Sequence, residues 1–138
     1  MAMAYPLYVG AATDTAAKRV SDYLAQHFLM PGGFVSTLVE TGEQWDYPNG
    51  WAPLQYIGVK GLLNYQQNDV AHEAMSRWLA LNEKVYKAEG KMMEKYNVVD
   101  TTLKAGGGEY PTQDGFGWTN GVDLAFYRLL GKQQVSAK

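Results

Sequence analysis

Three stretches of the chain combine residue types that can do chemistry. Glu94 lies in Lys91-Met92-Met93-Glu94-Lys95-Tyr96, where methionine and tyrosine neighbours can shield a carboxylate and raise its proton affinity, fitting it for general acid or base work. The competing reading is a solvated charge partner for the flanking lysines, an arrangement of little energetic consequence. Glu109 follows Gly106-Gly107-Gly108, and consecutive glycines let backbone approach a ligand closely, so this carboxylate is either aimed at a bound molecule or part of a plain surface loop. The third stretch, Gln44-Trp45-Asp46 with Pro48-Asn49-Gly50-Trp51, sets two indoles among an acid and two amides. Indole faces match the apolar side of a sugar ring, and the polar groups match its hydroxyls. Packing competes here too, since Trp51 can staple the start of a helix.

These loops need elements to hold them. Val20, Tyr23, Leu24, His27 and Phe28 predict one amphipathic helix over Ala11 to Phe28, with Thr13 or Thr15 as N-cap and Pro31-Gly32-Gly33 as stop. Phe34 to Val39 reads as briefly extended, and Gly42 to Gly50 as loop. Pro53 suits a first helical turn, with Leu54, Ile57, Leu62 and Tyr65 carrying that helix to about Gln66. Asn68 is the expected cap of the longest helix, whose stripe of Val70, Ala74, Trp78, Leu81 and Val85 runs to Gly90. Lys91 to Val99 reads as extended and Thr101 to Gly108 as a glycine-rich connection. A last helix is expected from Thr119 or Asn120 to Gly131, with Thr119 as a plain cap and a frayed tail over 133–138.

Composition limits the function classes. The 138 residues are 46% hydrophobic, 19% charged and 13% aromatic, which suits one globular unit spanning 1–138. A formal charge of -2 does not suit a protein that binds by neutralising nucleic-acid phosphates or a membrane surface. With no cysteine, thiolate metal sites and cysteine nucleophiles are excluded. No apolar run approaches the roughly 20 residues that span a bilayer. His72-Glu73 lacks a second histidine at helical zinc-protease spacing, and no glycine cluster completes a phosphate loop or dinucleotide fingerprint, so neither metal nor cofactor is expected.

Taken together, the loops resemble a known family. Gln44-Trp45-Asp46-Tyr47-Pro48-Asn49-Gly50-Trp51-Ala52-Pro53 is similar to the signature of the trehalases, glycoside hydrolase family 37. Gly106-Gly107-Gly108-Glu109-Tyr110-Pro111, continuing through Gln113-Asp114-Gly115-Phe116-Gly117-Trp118-Thr119-Asn120-Gly121, resembles its glycine-rich box. Glu94-Lys95-Tyr96-Asn97-Val98 resembles the segment bearing the catalytic base, with Asn97 where the family commonly has Asp. The resemblance runs from about Tyr5 to Leu130. It implies a mainly α fold, the C-terminal part of an (α/α)6 toroid with about four helices and long functional loops, and hydrolysis of α,α-trehalose with inversion. Glu94 would then be the general base and Glu109 a substrate-binding carboxylate, while Gln44, Trp45 and Asp46 would line the sugar subsite.

The resemblance covers only the final part of such an enzyme. The family's general acid and its sugar-binding arginines have no counterpart here, and inverting hydrolysis requires two carboxyl groups on opposite sides of the sugar. The expectation is a hydrolase fragment that turns over trehalose, or another small neutral sugar, only when completed. The alternative is a non-catalytic helical module that self-associates or keeps part of a sugar-binding face. An exposed apolar surface is expected in either case, covered by a homo-oligomer or a complementing N-terminal fragment. Both cytoplasmic and periplasmic locations fit.

Overall fold

Helix α4, Asn68–Glu89, organises the core of the computed structural model, which describes residues 1–103 and 112–136, with side chains as far as residue 131. Ala71, Ala74, Met75, Trp78, Leu79, Leu81, Asn82 and Val85 are buried along it, the three-and-four spacing of a helix stripe. Gly90 ends it at φ 70°, a left-handed conformation glycine adopts without steric cost, and its N–H reaches the Tyr86 carbonyl. The helix begins one residue earlier than expected: Asn68, the expected cap, is already helical, and Gln67 holds the cap position without a side-chain bond.

Helix α3, Ala52–Asn64, opens with Pro53 and packs along α4 after the short turn at Tyr65 to Gln67. It stops before Gln66, whose φ of 58° cannot continue a helix. The single turn α1, Tyr5–Tyr8, which the sequence pattern does not announce, lies against α3. Asn64 Nδ2 donates to the carbonyls of Leu7 and Tyr8, and the Tyr65 hydroxyl bonds both main-chain groups of Ala12.

Helix α2 covers only Asp14–Tyr23, capped by Thr13, whose hydroxyl accepts from the Ala16 N–H at 3.2 Å. The rest of the expected helix is a π-helical turn over Leu24–Phe28, wound so that Leu24 and Phe28 both reach the core. Pro31-Gly32 then forms a hairpin turn rather than a mere stop, pairing β1, Leu29–Met30, with β2, Gly33–Phe34, in antiparallel register. Helix side chains close both edges of this small sheet. Gln55 accepts from the Phe34 N–H at 2.8 Å and donates to its carbonyl at 2.6 Å, and Arg77 Nη1 donates to the carbonyls of Leu29 and Met30.

A second antiparallel pair joins β3, Asn49–Trp51, to β4, Lys95–Asn97, with Gly50 opposite Tyr96 and Trp51 opposite Lys95. At Gly50 a Cβ would lie 2.4 Å from Val98 Cγ1 and 2.9 Å from the Phe34 carbonyl, so only glycine permits this close approach. Helix α5, Gly117–Ser136, starts before the expected Thr119 and continues past Gly131. An interior glycine costs a helix about 1 kcal/mol and does not by itself end one. The four long helices of the sequence reading are present, with α1 in addition.

Candidate functional site

The β3–β4 pair is the frame of the site because it joins the 44–51 loop to the Glu94 segment across more than forty positions of sequence. Trp51 lies at its centre, almost fully buried at the entry to α3. Trp45 stacks on it with ring centroids 3.8 Å apart and planes 12° from parallel. Trp118, from the first turn of α5, meets Trp51 and Trp45 edge-on at 5.8 and 6.3 Å, and Phe116 tilts against Trp118 at 4.7 Å. Indole pairs at these separations hold one another rigidly. Trp45 keeps 47% of its surface exposed, which makes it the outer face of the cluster. Trp51 Nε1 and Asn49 Oδ1 are buried without a hydrogen-bond partner among the described residues.

Glu94 is joined to this cluster through its main chain. Its carbonyl accepts from Trp118 Nε1 at 3.0 Å, and its N–H donates to the Gln113 carbonyl at 2.8 Å. On either side, the Thr119 hydroxyl donates to the Met93 carbonyl at 2.7 Å, and Met93 and Asp114 form an antiparallel bridge. Thr119 is therefore not the expected cap: it sits inside α5, fully buried, and fastens that helix to the segment that carries Glu94. Glu94 itself is 4% exposed, so the surface-lysine-partner reading does not describe it. Lys95 is fully buried with its ammonium 5.8 Å from the Trp51 ring centroid. Burial lowers the Lys95 pKa from its ordinary value, while the Glu94 charge pulls it the other way.

The other expected site residues divide. Gln44 is buried at the base of the loop, and its carbonyl accepts from Asn49 Nδ2 at 3.4 Å. Asp46 is buried as well, but its Oδ2 accepts from the N–H and hydroxyl of Thr41 and from the Glu43 N–H, which ties the loop to itself. The Thr41 hydroxyl, then the Thr41 amide, hold the Asp46 carboxyl below the usual carboxylate range. Glu109 and the glycines before it lie outside the described residues. Asn97 accepts from the Val99 and Asp100 N–H groups through Oδ1, a turn that an aspartate oxygen makes equally well.

A second acid escapes the sequence reading. Asp123, on α5, is 7% exposed and accepts from Trp78 Nε1 at 2.8 Å, while Trp78 meets Tyr96 edge-on at 5.3 Å. Burial pushes the Asp123 carboxyl up to about 7, against the pull of the Trp78 bond. A signal exists in the sequence: Thr119, Val122, Asp123 and Phe126 share one helix face, and two of the four, Val122 and Phe126, are types expected inside. Lys95 and Trp118 stand inside motifs the sequence reading quotes but carry no role of their own there, although the aromatic pair in Gly115-Phe116-Gly117-Trp118 marks the latter. Among the described residues no three His, Asp or Glu side chains converge as metal ligands, and no helix is long and apolar enough to cross a membrane.

Comparison with known proteins accounts for this arrangement. The family described as Trehalase matches residues 1–131. Periplasmic trehalases of Salmonella newport (strain SL254) and Salmonella agona (strain SL483) are each 50% identical over 130 residues, 94% of this chain and 23% of theirs. The solved neutral trehalase of Saccharomyces cerevisiae matches with a TM-score of 0.72 and 30% identity, over 88% of this chain and 22% of that one. The chain therefore spans less than a quarter of the length of these relatives.

Proposed function

The chain belongs to the trehalase family, and on that premise we propose that it forms the base-bearing part of an α,α-trehalase that inverts configuration at the anomeric carbon. Water attacks that carbon, Glu94 takes the proton the water loses, and the glycosidic bond breaks to leave two glucose molecules. The departing oxygen needs a proton from a second carboxyl group across the sugar, and this group belongs to the part of the fold that the chain does not share. Glu109 binds substrate, and Gln44 and Trp45 line the sugar subsite. Asp46 serves the same subsite by fixing the loop that presents them.

One observation carries the reading: the segment bearing Glu94 and the loop bearing Trp45 meet in a single indole cluster. The buried Trp51 Nε1 and Asn49 Oδ1 support it, since a sugar hydroxyl can bond either group. We assign the protein to the periplasm, as its curated relatives are named.

The test is a chimera in which these 138 residues replace the 130 matched residues of the Salmonella newport periplasmic trehalase, assayed by glucose release from trehalose. Glu94→Gln keeps the shape of the side chain but cannot take a proton, and should lower kcat by about 10² to 10⁴ with the fold intact. Glu109→Gln should raise KM as well as lower kcat, because a binding carboxylate acts before the chemical step. Full activity of the Glu94→Gln chimera would reject the assigned base. The isolated chain should release no measurable glucose.

A further inference from the structure

Glu94 stands where the chain changes partners. Before it, Met93 bridges to Asp114, and after it, Lys95 opens β4 and pairs with Trp51; the main chain bends at Glu94, which belongs to neither pairing. All four main-chain polar groups of Met93 and Glu94 are nonetheless bonded. The Glu94 N–H and carbonyl are held by Gln113 and Trp118, and the Met93 carbonyl by Thr119. The fourth group, the Met93 N–H, donates to the Tyr96 hydroxyl at 2.9 Å. We propose that Tyr96 is a positioning residue for Glu94: its hydroxyl, backed by the Trp78 ring, closes the bend that holds the base carboxylate in place.

The surroundings of Tyr96 suit that task. Its main chain is fixed by the ladder to β3, its ring is fully buried, and Trp78 meets that ring edge-on at 5.3 Å. Trp78 is itself anchored, through Nε1, on Asp123 at 2.8 Å. A phenylalanine would fill the same space without carrying a polar group inside, and a buried hydroxyl is costly unless it is bonded. The Met93 N–H supplies that bond. Burial pushes the Tyr96 phenol up to about 12, so the hydroxyl stays protonated and the bond keeps one state wherever a glycosidase is assayed. Without it, the Met93 N–H loses its acceptor, the bend relaxes, and Glu94 shifts relative to the water it activates. A misplacement of about 1 Å at a reacting group costs about 10² in rate. The inference rests on the assignment of Glu94 as the base in the proposed trehalase, and can fail separately from it.

The experiment uses the single-chain chimera described above and glucose release from trehalose. Tyr96→Phe should lower kcat about tenfold and change KM by less than about twofold, since it disturbs the chemical step and not the binding of sugar. Partial unfolding also lowers kcat, so the deciding variant is a double one. Beside Glu94→Gln there is no base left to misplace, and Tyr96→Phe should then cause no further loss, because residues that act as a unit are not additive. Trp78→Phe withdraws the indole from Tyr96 but keeps the Tyr96 hydroxyl. It should lower kcat by less, about threefold, and this loss should likewise vanish beside Glu94→Gln. Wild-type kcat in Tyr96→Phe, or an equal fold loss with and without the Glu94 carboxylate for either variant, would overturn the proposal. The two readings fail differently: full activity of Glu94→Gln alone rejects the base and leaves Tyr96 nothing to position. A slow Glu94→Gln chimera together with a Tyr96→Phe chimera as fast as wild type keeps the base and rejects Tyr96.

Discussion

Glu94 and Asp123 are both buried and both lie beside an indole, yet the two tryptophans treat them differently. Trp118 gives its N–H to the Glu94 main-chain carbonyl, so it fixes the main chain and not the acid. Trp78 gives its N–H to the Asp123 carboxylate itself. A donor aimed at the carboxylate favours its charged form, but at Asp123 burial outweighs that donor and the carboxyl titrates near 7. The contrast separates two uses of one side chain. One indole builds a scaffold around an acid assigned to chemistry, and the other satisfies an acid assigned to packing.

The largest effect should come from the second indole. Trp78→Ala removes a fully buried ring and leaves Asp123 without its described donor, and should cost about 3–5 kcal/mol in urea unfolding. A much smaller loss would mean that Asp123 finds another partner, and the contrast with Glu94 would weaken.

Next comes pH. The folded Asp123 value of about 7 lies above its ordinary 3.8, so the group favours folding fully below about pH 4 and loses that contribution as pH rises through 7. Asp46, Asp100 and Asp114, held low by Thr41, Thr102 and Lys91 respectively, act in the opposite sense and lose their contribution as pH falls. The informative quantity is therefore the difference between wild type and Asp123→Asn, which keeps an acceptor for Trp78. Relative to that variant, wild type should lose about 2–4 kcal/mol between pH 4 and 8, measured by denaturant titration at each pH. Parallel curves for wild type and Asp123→Asn would reject the assignment of this slope to Asp123.

Trp118→Phe tests the scaffold side. It removes one hydrogen bond to main chain and should cost about 1–2 kcal/mol with no new pH dependence. A change in pH dependence would show that Trp118 acts on a carboxylate after all. Smallest of the four is Thr119→Val, which loses the hydroxyl bond to Met93 and should cost about 1 kcal/mol in the same assay. Additivity with Trp118→Phe would indicate that the two bonds hold the segment independently, and strong coupling would make them one clamp.

What could be read from the sequence follows how local each cause is. The stripe along α4 and its glycine stop are written in consecutive turns, and the structure follows them to within a residue. The early end of α2 depends on which residues must reach a core built from distant segments, and no window around Tyr23 contains that information. Thr119 reads as a cap because a threonine near a helix start commonly serves as one, and only the Met93 carbonyl, distant in sequence, takes its hydroxyl elsewhere. At the site, the Met and Tyr neighbours of Glu94 did signal burial. The Asp46 bonds to Thr41 were within local reach but were hidden by the signature motif around them, which drew its reading toward a ligand.

The side chains that flank β1 and β2 have a consequence for how this chain behaves in a crowded cell. A two-stranded sheet ordinarily offers two rows of unused peptide groups to any passing extended segment, the start of strand-by-strand aggregation. Here Gln55 occupies both main-chain groups of Phe34, and Arg77 occupies the carbonyls of Leu29 and Met30. The helices thus cover the peptide groups that such a segment would use, and the small sheet offers no free row for strand-by-strand growth at these residues.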